Sequence, residues 1–255
     1  MPARQLAGRR DPSAVPSLGG PVPAAPSTAL SRSSLEHERG RLGLREKVEP
    51  LEYLVTMSTH VPDGTSETAV QAVRAREAAR SGQLATQGHL LRLWRPPLQP
   101  GEWRTLGLFA ADGGSELEEV LASMPLRVWR TDEVTPLSPH PNDPHRQTDR
   151  PRTPAPGPGN SEFLTTFSPA VREEADPGTV DAVQGQADRA RELARQGCLE
   201  RLWTLPGQGG TLGLWWAPDA AGMDGIVASF PLSPGMSVQI TSLAPHPSDP
   251  ALARG

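Results

Sequence analysis

A chain of 255 residues has room for one or two domains, and its 29 Pro and 25 Gly are gathered in particular stretches, so the ordered parts are expected to be shorter than the whole. A formal net charge of −4 gives no electrostatic footprint for nucleic acid, and no run of about 18 apolar residues exists to span a membrane. The single cysteine, Cys198, excludes an intrachain disulfide framework and a cysteine-based zinc site, and suits a reducing cytoplasm.

Residues 1–48 mix Pro, Ser, Gly and Ala without periodicity and carry Arg4, Arg9 and Arg10 without a continuous apolar run. They predict a disordered tail rather than a secretory signal. Leu51 to Thr59 then predicts a strand, rich in Tyr, Val, Leu and Thr. Pro62-Asp63-Gly64 predicts a turn, and Ser66 with Glu67 supplies the chemistry of a helix start. A Pro-free, Ala-rich helix runs from there to Gln87, with Gly88 able to end it. Leu90 to Arg95 and Trp103 to Ala110 predict an antiparallel pair around a Pro/Gly loop. Ser115 to Met124 predicts a second helix, stopped by Pro125, and Thr131 to Leu137 a last strand. The order βαββαβ is the ferredoxin-like unit.

Residues 145–160 follow, a linker holding Pro151, Pro154, Pro156 and Pro158. At ~3.1 Å per residue such a spacer reaches roughly 50 Å. Beyond it the first unit recurs. Glu52-Tyr53-Leu54 returns as Glu162-Phe163-Leu164, an offset of 110. Arg92-Leu93-Trp94 returns as Arg201-Leu202-Trp203 at 109, and Leu106-Gly107-Leu108 as Leu212-Gly213-Leu214 at 106. Ala122 to Leu126 returns as Ala228 to Leu232, and His140-Pro141-Asn142-Asp143-Pro144 as His246-Pro247-Ser248-Asp249-Pro250, both at 106. Chance does not keep five landmarks in order. The expected architecture is therefore α+β: two ferredoxin-like βαββαβ domains of the dimeric α+β barrel type, at 51–144 and 161–250. Both helices of such a unit cover one face of its sheet, so the two copies are expected to pair sheet to sheet as an intrachain pseudo-dimer.

On a helical wheel at about 100° per residue, Val70, Val73 and Leu84 share an arc of about 60°, the expected buried face. Glu77 falls inside that arc, with Arg74 and Arg80 on its two edges. An ionised carboxylate on an apolar face costs several kcal/mol unless it is paired or protonated. Guanidinium groups favour its ionised form and burial opposes it, a balance that suits a general base acting on a carbon-bound proton. A rim salt bridge that only orients the helix accounts for the same residues. In the second copy Glu77 aligns with Gln186 or Ala187 and Arg74 with Val183, so the charged cluster is not repeated. His140 and His246, each just past a last strand, fit a turn with Pro and Asp, or an acid or ligand for an anionic substrate. Trp94 and Trp203 are expected to line the core or a pocket. The remaining histidines (His37, His60, His89, His145) lack metal-ligand spacing, and no Gly-rich phosphate loop is present. No cofactor is expected.

Taken together, these landmarks resemble the muconolactone delta-isomerase family. The matching segments are the opening strand Glu52-Tyr53-Leu54-Val55, the helix motif Arg74-Ala75-Arg76-Glu77, the strand end Leu93-Trp94-Arg95, the helix exit Met124-Pro125-Leu126 and the close His140-Pro141. The resemblance implies a domain that assembles into rings of sheet-paired dimers. It also implies a cofactor-free shift of a proton that converts muconolactone to an enol-lactone in aromatic catabolism, with Glu77 and Arg74 as the catalytic pair. Arg80, Trp94 and His140 are the residues expected to meet the substrate. Two departures stand out: the family domain occurs singly, and its aromatic-rich segment is replaced here by Pro125-Leu126-Arg127-Val128-Trp129. A cyclase or isomerase of a specialised biosynthetic pathway, and a non-catalytic binding or assembly protein, are the alternative functions.

Overall fold

The computed structural model describes residues 50–146, 159–169, 180–207, 210–231 and 235–253. The expected tail and most of the Pro-rich linker lie outside these residues. The first repeat comprises β1 (Leu51–Thr59), α1 (Glu67–Gln87), β2 (Leu90–Arg95), β3 (Arg104–Ala111), α2 (Gly114–Ala122) and β4 (Arg130–Pro139). The second comprises β5 (Ser161–Pro169), α3 (Val180–Arg195), β6 (Leu199–Thr204), β7 (Thr211–Ala217), α4 (Ala220–Ala228) and β8 (Met236–Pro245).

Local chemistry sets the ends of these elements. The Ser66 side chain accepts a hydrogen bond from the Ala69 N–H at 3.3 Å and satisfies one of the open donors at the start of α1. Gly88 ends α1 at φ 84°, a left-handed conformation that costs a residue without Cβ little. The helix α2 stops two residues before the expected Met124. Pro125 disfavours helical backbone in the residue before it, and Met124 is extended at φ −82°, ψ 127°. A 3-10 turn over Pro125–Trp129 then leads into β4 at Arg130, one residue ahead of the expected start.

Within each repeat the strands run β4-β1-β3-β2 and β8-β5-β7-β6. The two sheets meet at two seams. Trp94 and Arg95 of β2 pair with Pro245 and Ala244 of β8, and Ser138 and Pro139 of β4 with Thr204 and Trp203 of β6. The result is a closed, antiparallel barrel of eight strands among the described residues. Period-two alternation sorts the side chains between its faces. In β1, Tyr53, Val55 and Met57 pack outward with Leu84, Leu117 and Leu121 under α1 and α2. Phe163, Phe167 and Trp215 do the same with Leu193 and Met223 under α3 and α4. Inside the barrel, Trp94, Leu106, Leu108 and Leu137 share one cluster with Leu164, Trp203, Leu212 and Leu214, so both repeats contribute to it.

Several repeated landmarks acquire a physical reason here. A Cβ at Gly107 would run into the Phe109 ring, and one at Gly213 into the Trp215 indole. In both repeats the aromatic ring two residues on occupies the space a side chain would fill. The Arg-Leu-Trp and His-Pro-x-Asp segments bind across the seams. The Arg92 guanidinium donates to Glu162 at 2.8 Å and to Asp249 at 3.1 Å, and the Trp94 indole N–H donates to Glu162 at 3.0 Å. In mirror image, Arg201 donates to Glu52 at 2.9 Å and to Asp143 at 3.3 Å, and Trp203 donates to Glu52. The Leu93 and Leu202 N–H groups each donate to the opposite repeat's aspartate at 3.1 Å. These carboxylates are taken out of water but each is met by a guanidinium and neutral donors, the condition under which a buried charge is tolerated.

Candidate functional site

Beneath α1, between the helix and the outer face of the first sheet, lies a cavity of about 280 Å³. Its apolar wall is Met57, Leu93, Met124 and Leu126, and its polar groups include Arg74, Glu77, Arg130 and His246. Glu77 reaches it because α1 turns that position toward the sheet, where the side chain is only 13 % exposed. The Leu126 N–H donates to Glu77 Oε2 at 2.8 Å, and Arg130 Nη1 donates to Oε1 at 3.2 Å. Burial pushes the Glu77 carboxyl above its usual value, and nearby Asp132 adds to the rise, against the pull of the Leu126 N–H and the Arg130 guanidinium.

Arg130 is the buried cation of the site, with its side chain 2 % exposed at the first position of β4. Its guanidinium grips Asp132 with two bonds, Nε to Oδ1 at 2.6 Å and Nη2 to Oδ2 at 3.0 Å. This fork fixes the plane of donors and leaves Nη1 aimed at Glu77. Arg74 stands one helical turn before Glu77, its guanidinium 4.3 Å above the Trp103 ring, a cation–π contact that holds it over the cavity.

The last polar group comes from the other repeat. The seam between β2 and β8 carries the His246-Pro247-Ser248 turn to the cavity wall. The Ser248 N–H donates to His246 Nδ1 at 3.1 Å, so the neutral imidazole carries its proton on Nε2. Burial and then the Arg95 guanidinium lower the imidazole to about 4, against the opposing pull of Asp249. His246 is thus a neutral N–H donor at ordinary pH.

Of the residues singled out from the sequence, Arg74 and Glu77 share this cavity, and Arg80, Trp94 and His140 do not line it. Arg80 turns away to donate to Ser123 Oγ at 2.9 Å and to Gln83 at 3.1 Å. Arg189 makes the same bond to Ser229 at 2.8 Å, so this arginine ties the two helices together in both repeats. It is not the second cation beside Glu77; Arg130 is. Trp94 points into the barrel, since its neighbour Leu93 takes the helix-facing position and parity sends Trp94 the other way. His140 forms the turn with Asn142 and Asp143 that its sequence suggests, and it lines a cavity of the second repeat.

That second cavity, about 140 Å³, occupies the same place under α3 and includes Phe167, Gln186, Ala190, Trp215, Phe230 and Met236 in its wall. The buried pairs Ser81/Ala190 and Leu84/Leu193 fix the helix register, and set Gln186 rather than Ala187 opposite Glu77. Met236 and Val238 then stand where the first repeat has Arg130 and Asp132. Among the described residues no group of three or more His, Cys, Asp or Glu side chains could hold a metal ion, and no helix is long and apolar enough to cross a membrane.

Fold and cavity define a class: a mixed α+β barrel with a desolvated carboxylate, the guanidinium groups of Arg74, Arg95 and Arg130 and a neutral imidazole in one cavity. The chain belongs to the muconolactone delta-isomerase family, whose model matches residues 51–143 and again 162–249. Muconolactone Delta-isomerase 1 of Acinetobacter lwoffii is 32 % identical over 88 residues, which cover 34 % of this chain and 88 % of that protein. Muconolactone Delta-isomerase of Cupriavidus pinatubonensis is 31 % identical over 90 residues, 35 % of this chain and 95 % of that protein. Each relative is therefore about as long as one repeat. A haem-binding protein from Thermus thermophilus matches 81 % of this chain and 95 % of its own with a TM-score of 0.50, and at 12 % identity that likeness concerns the fold alone.

Proposed function

We propose that the first-repeat cavity is the active site of a cofactor-independent isomerase that moves a proton on a lactone or enone, with Glu77 as the base. The observation that carries this reading is a carboxylate held in an apolar cavity by one backbone N–H and one guanidinium, with Arg74 and the His246 N–H facing the same space. The site residues fall on the family's Arg-x-x-Glu motif, which supports the same assignment independently.

In this mechanism Glu77 takes the proton from the carbon γ to an unsaturated lactone carbonyl. The electrons of that C–H bond move into the ring and leave a dienolate whose negative charge rests on the carbonyl oxygen. Arg74 and the His246 Nε2–H stabilise that oxygen, donors aimed at charge that develops only during reaction. The same carboxyl then returns the proton to the α carbon, and the double bond has moved by one position with no net change in atoms. Arg130 does not need to touch substrate: gripped by Asp132, it positions Glu77 and keeps it ionised. Desolvation makes the carboxylate a stronger base than it would be in water.

The repeats at 51–144 and 161–250 act, in this proposal, as domains that pair sheet to sheet, the single-chain counterpart of a dimer. The barrel seams, the shared interior cluster and the reciprocal Arg–Glu–Asp networks support it. So does the crossing of His246 into the first repeat's cavity, which gives the pairing a catalytic purpose. The direct test is turnover of muconolactone by the wild-type chain and by Glu77→Gln. The expected fall is roughly 10²–10⁴-fold, the usual worth of a positioned general base.

A further inference from the structure

We propose that the second-repeat cavity is a ligand site in its own right, one that binds a small, flat, uncharged ring compound through a single carbonyl or hydroxyl oxygen and does not transform it. Three observations lead there: the shape of the cavity, the chemistry of its wall, and the way its charges have been exchanged.

The shape is that of one ring. A cavity of about 140 Å³ compares with the roughly 150 Å³ apolar cavity that takes up benzene. Its wall is a set of mutually edge-on aromatic rings. Phe167 and Trp215 have centroids 6.4 Å apart at 64°, Phe167 and Phe230 6.1 Å at 70°, and Trp215 and Phe230 5.8 Å at 75°. Such a cluster is a rigid surface for a flat guest. The only polar atom of the Trp215 ring is turned away, its N–H donating to Thr165 Oγ1 at 2.7 Å.

The polar residues of the wall are His140, Asn142, Gln186 and Thr211. The Asn142 N–H donates to His140 Nδ1 at 3.1 Å, which leaves the proton of the neutral ring on Nε2. Burial lowers the His140 imidazole below its usual value, with Asp143 opposing, so the ring is neutral. Amide and imidazole are donors without net charge. An anion entering here would give up its hydration and find no cation among the described lining residues. A neutral oxygen loses far less and is met by an N–H.

The exchange of charges is coordinated. The base, its guanidinium partner and that partner's carboxylate (Glu77, Arg130, Asp132) correspond to Gln186, Met236 and Val238, so no half of an ion pair is left in the cavity. Meanwhile Met57, Phe109 and Met124 correspond to Phe167, Trp215 and Phe230. Larger rings narrow the cavity without closing it. A site that had merely decayed would show unpaired charge or a filled core, and this one shows neither.

Calorimetric titration of the full chain with but-2-en-4-olide, a neutral five-membered lactone, tests the proposal, with benzoate as the charged ring control. Two sites are expected in the wild type. Ala190→Leu fills the second cavity and should remove one of them, while Ser81→Leu, at the matching position of the first repeat, should remove the other. Gln186→Leu, which replaces a polar residue of the wall by an apolar one, should weaken the second site about tenfold, or about 1.4 kcal/mol. Glu77→Gln should leave that site intact, which separates this proposal from the assignment of the base. Benzoate should bind the second site at least about tenfold more weakly than the lactone if an uncompensated charge is penalised as argued. Matching thermal unfolding of each variant and wild type shows that the loss is local. A single site that Ser81→Leu abolishes, or a second site indifferent to Ala190→Leu and Gln186→Leu, would overturn the proposal.

Discussion

Under α1 the first repeat holds Glu77, Arg130 and Asp132; under α3, at the same places on the same backbone, the second holds Gln186, Met236 and Val238. Around these positions the two repeats agree closely. Leu84 and Leu193 are both fully buried, Gly107 and Gly213 both make room for an aromatic ring, and Arg80 and Arg189 both bond a serine of the neighbouring helix. The shared positions belong to packing and to the seams, and the differing ones face the cavities. A duplicated domain thus separates what the fold requires from what the chemistry requires. Each cavity, moreover, borrows a histidine from the opposite repeat, so neither is complete alone.

The comparison can be broken most severely at Glu77, where Gln, the residue of the second repeat, should cost roughly 10²–10⁴-fold in turnover. Folding should survive, because an amide oxygen can still accept from the Leu126 N–H and Arg130 keeps its fork on Asp132. Next comes Arg130→Met, which copies Met236, leaves the buried Glu77 without its cation and leaves Asp132 with only the more exposed Arg127, at 3.3 Å. Chemical denaturation should show a loss of about 3–5 kcal/mol, as for other broken buried pairs. Adding Glu77→Gln and Asp132→Val should restore most of it, since the second repeat carries that triple in the same fold.

A smaller effect is expected at His246. His246→Gln keeps a donor of similar reach but a less fixed one, and should lower kcat by about tenfold, in line with a weakened oxyanion contact. His140→Gln, in the other cavity, should leave turnover unchanged. The smallest effect is in pH dependence. An unfolded histidine takes up its proton near 6.5, whereas folded His246 does so only near 4. The unfolded chain therefore binds more protons between those values, and the His246 contribution is present above about 6.5 and lost as pH falls toward 4. Thermal unfolding from pH 4 to 7 should show a shallower rise for His246→Gln than for the wild type. The acid limb of kcat should lie above the ordinary glutamate value of 4.5, since burial raises the Glu77 carboxyl.

Much of the framework was legible in the order of residues. The limits of β1 and β2, the Ser66 cap and the Gly88 stop follow from propensity and turn chemistry that act over a few residues. The wheel also placed Glu77 on the inward face, because that needs only the helix itself. What stayed hidden was the company Glu77 keeps. Arg130 lies 53 residues on, beyond two strands, a helix and a 3-10 turn, and His246 lies in the other repeat. A wheel offers only cations of its own helix, so Arg80 looked like a partner although it faces Ser123. The signal that was available lay in the repeat alignment. The exchanged pairs Arg130/Met236 and Asp132/Val238 mark the cavities, whereas charged positions kept in both copies mark the seams (Glu52/Glu162, Arg92/Arg201, Asp143/Asp249) or, at Arg80/Arg189, the tie between the two helices of a repeat. The parity of Leu93 and Trp94 likewise says that only one of them can face α1.

The most direct measurement is solvent deuterium incorporation at the γ carbon of muconolactone, followed by NMR for the wild type, Glu77→Gln and Gln186→Ala. If Glu77 is the base of the first repeat and the second repeat has none, exchange falls with turnover by roughly 10²–10⁴-fold in Glu77→Gln and stays at the wild-type rate in Gln186→Ala. Full exchange in Glu77→Gln would contradict the account, and would return Glu77 and Arg130 to the role of a salt bridge that orients α1.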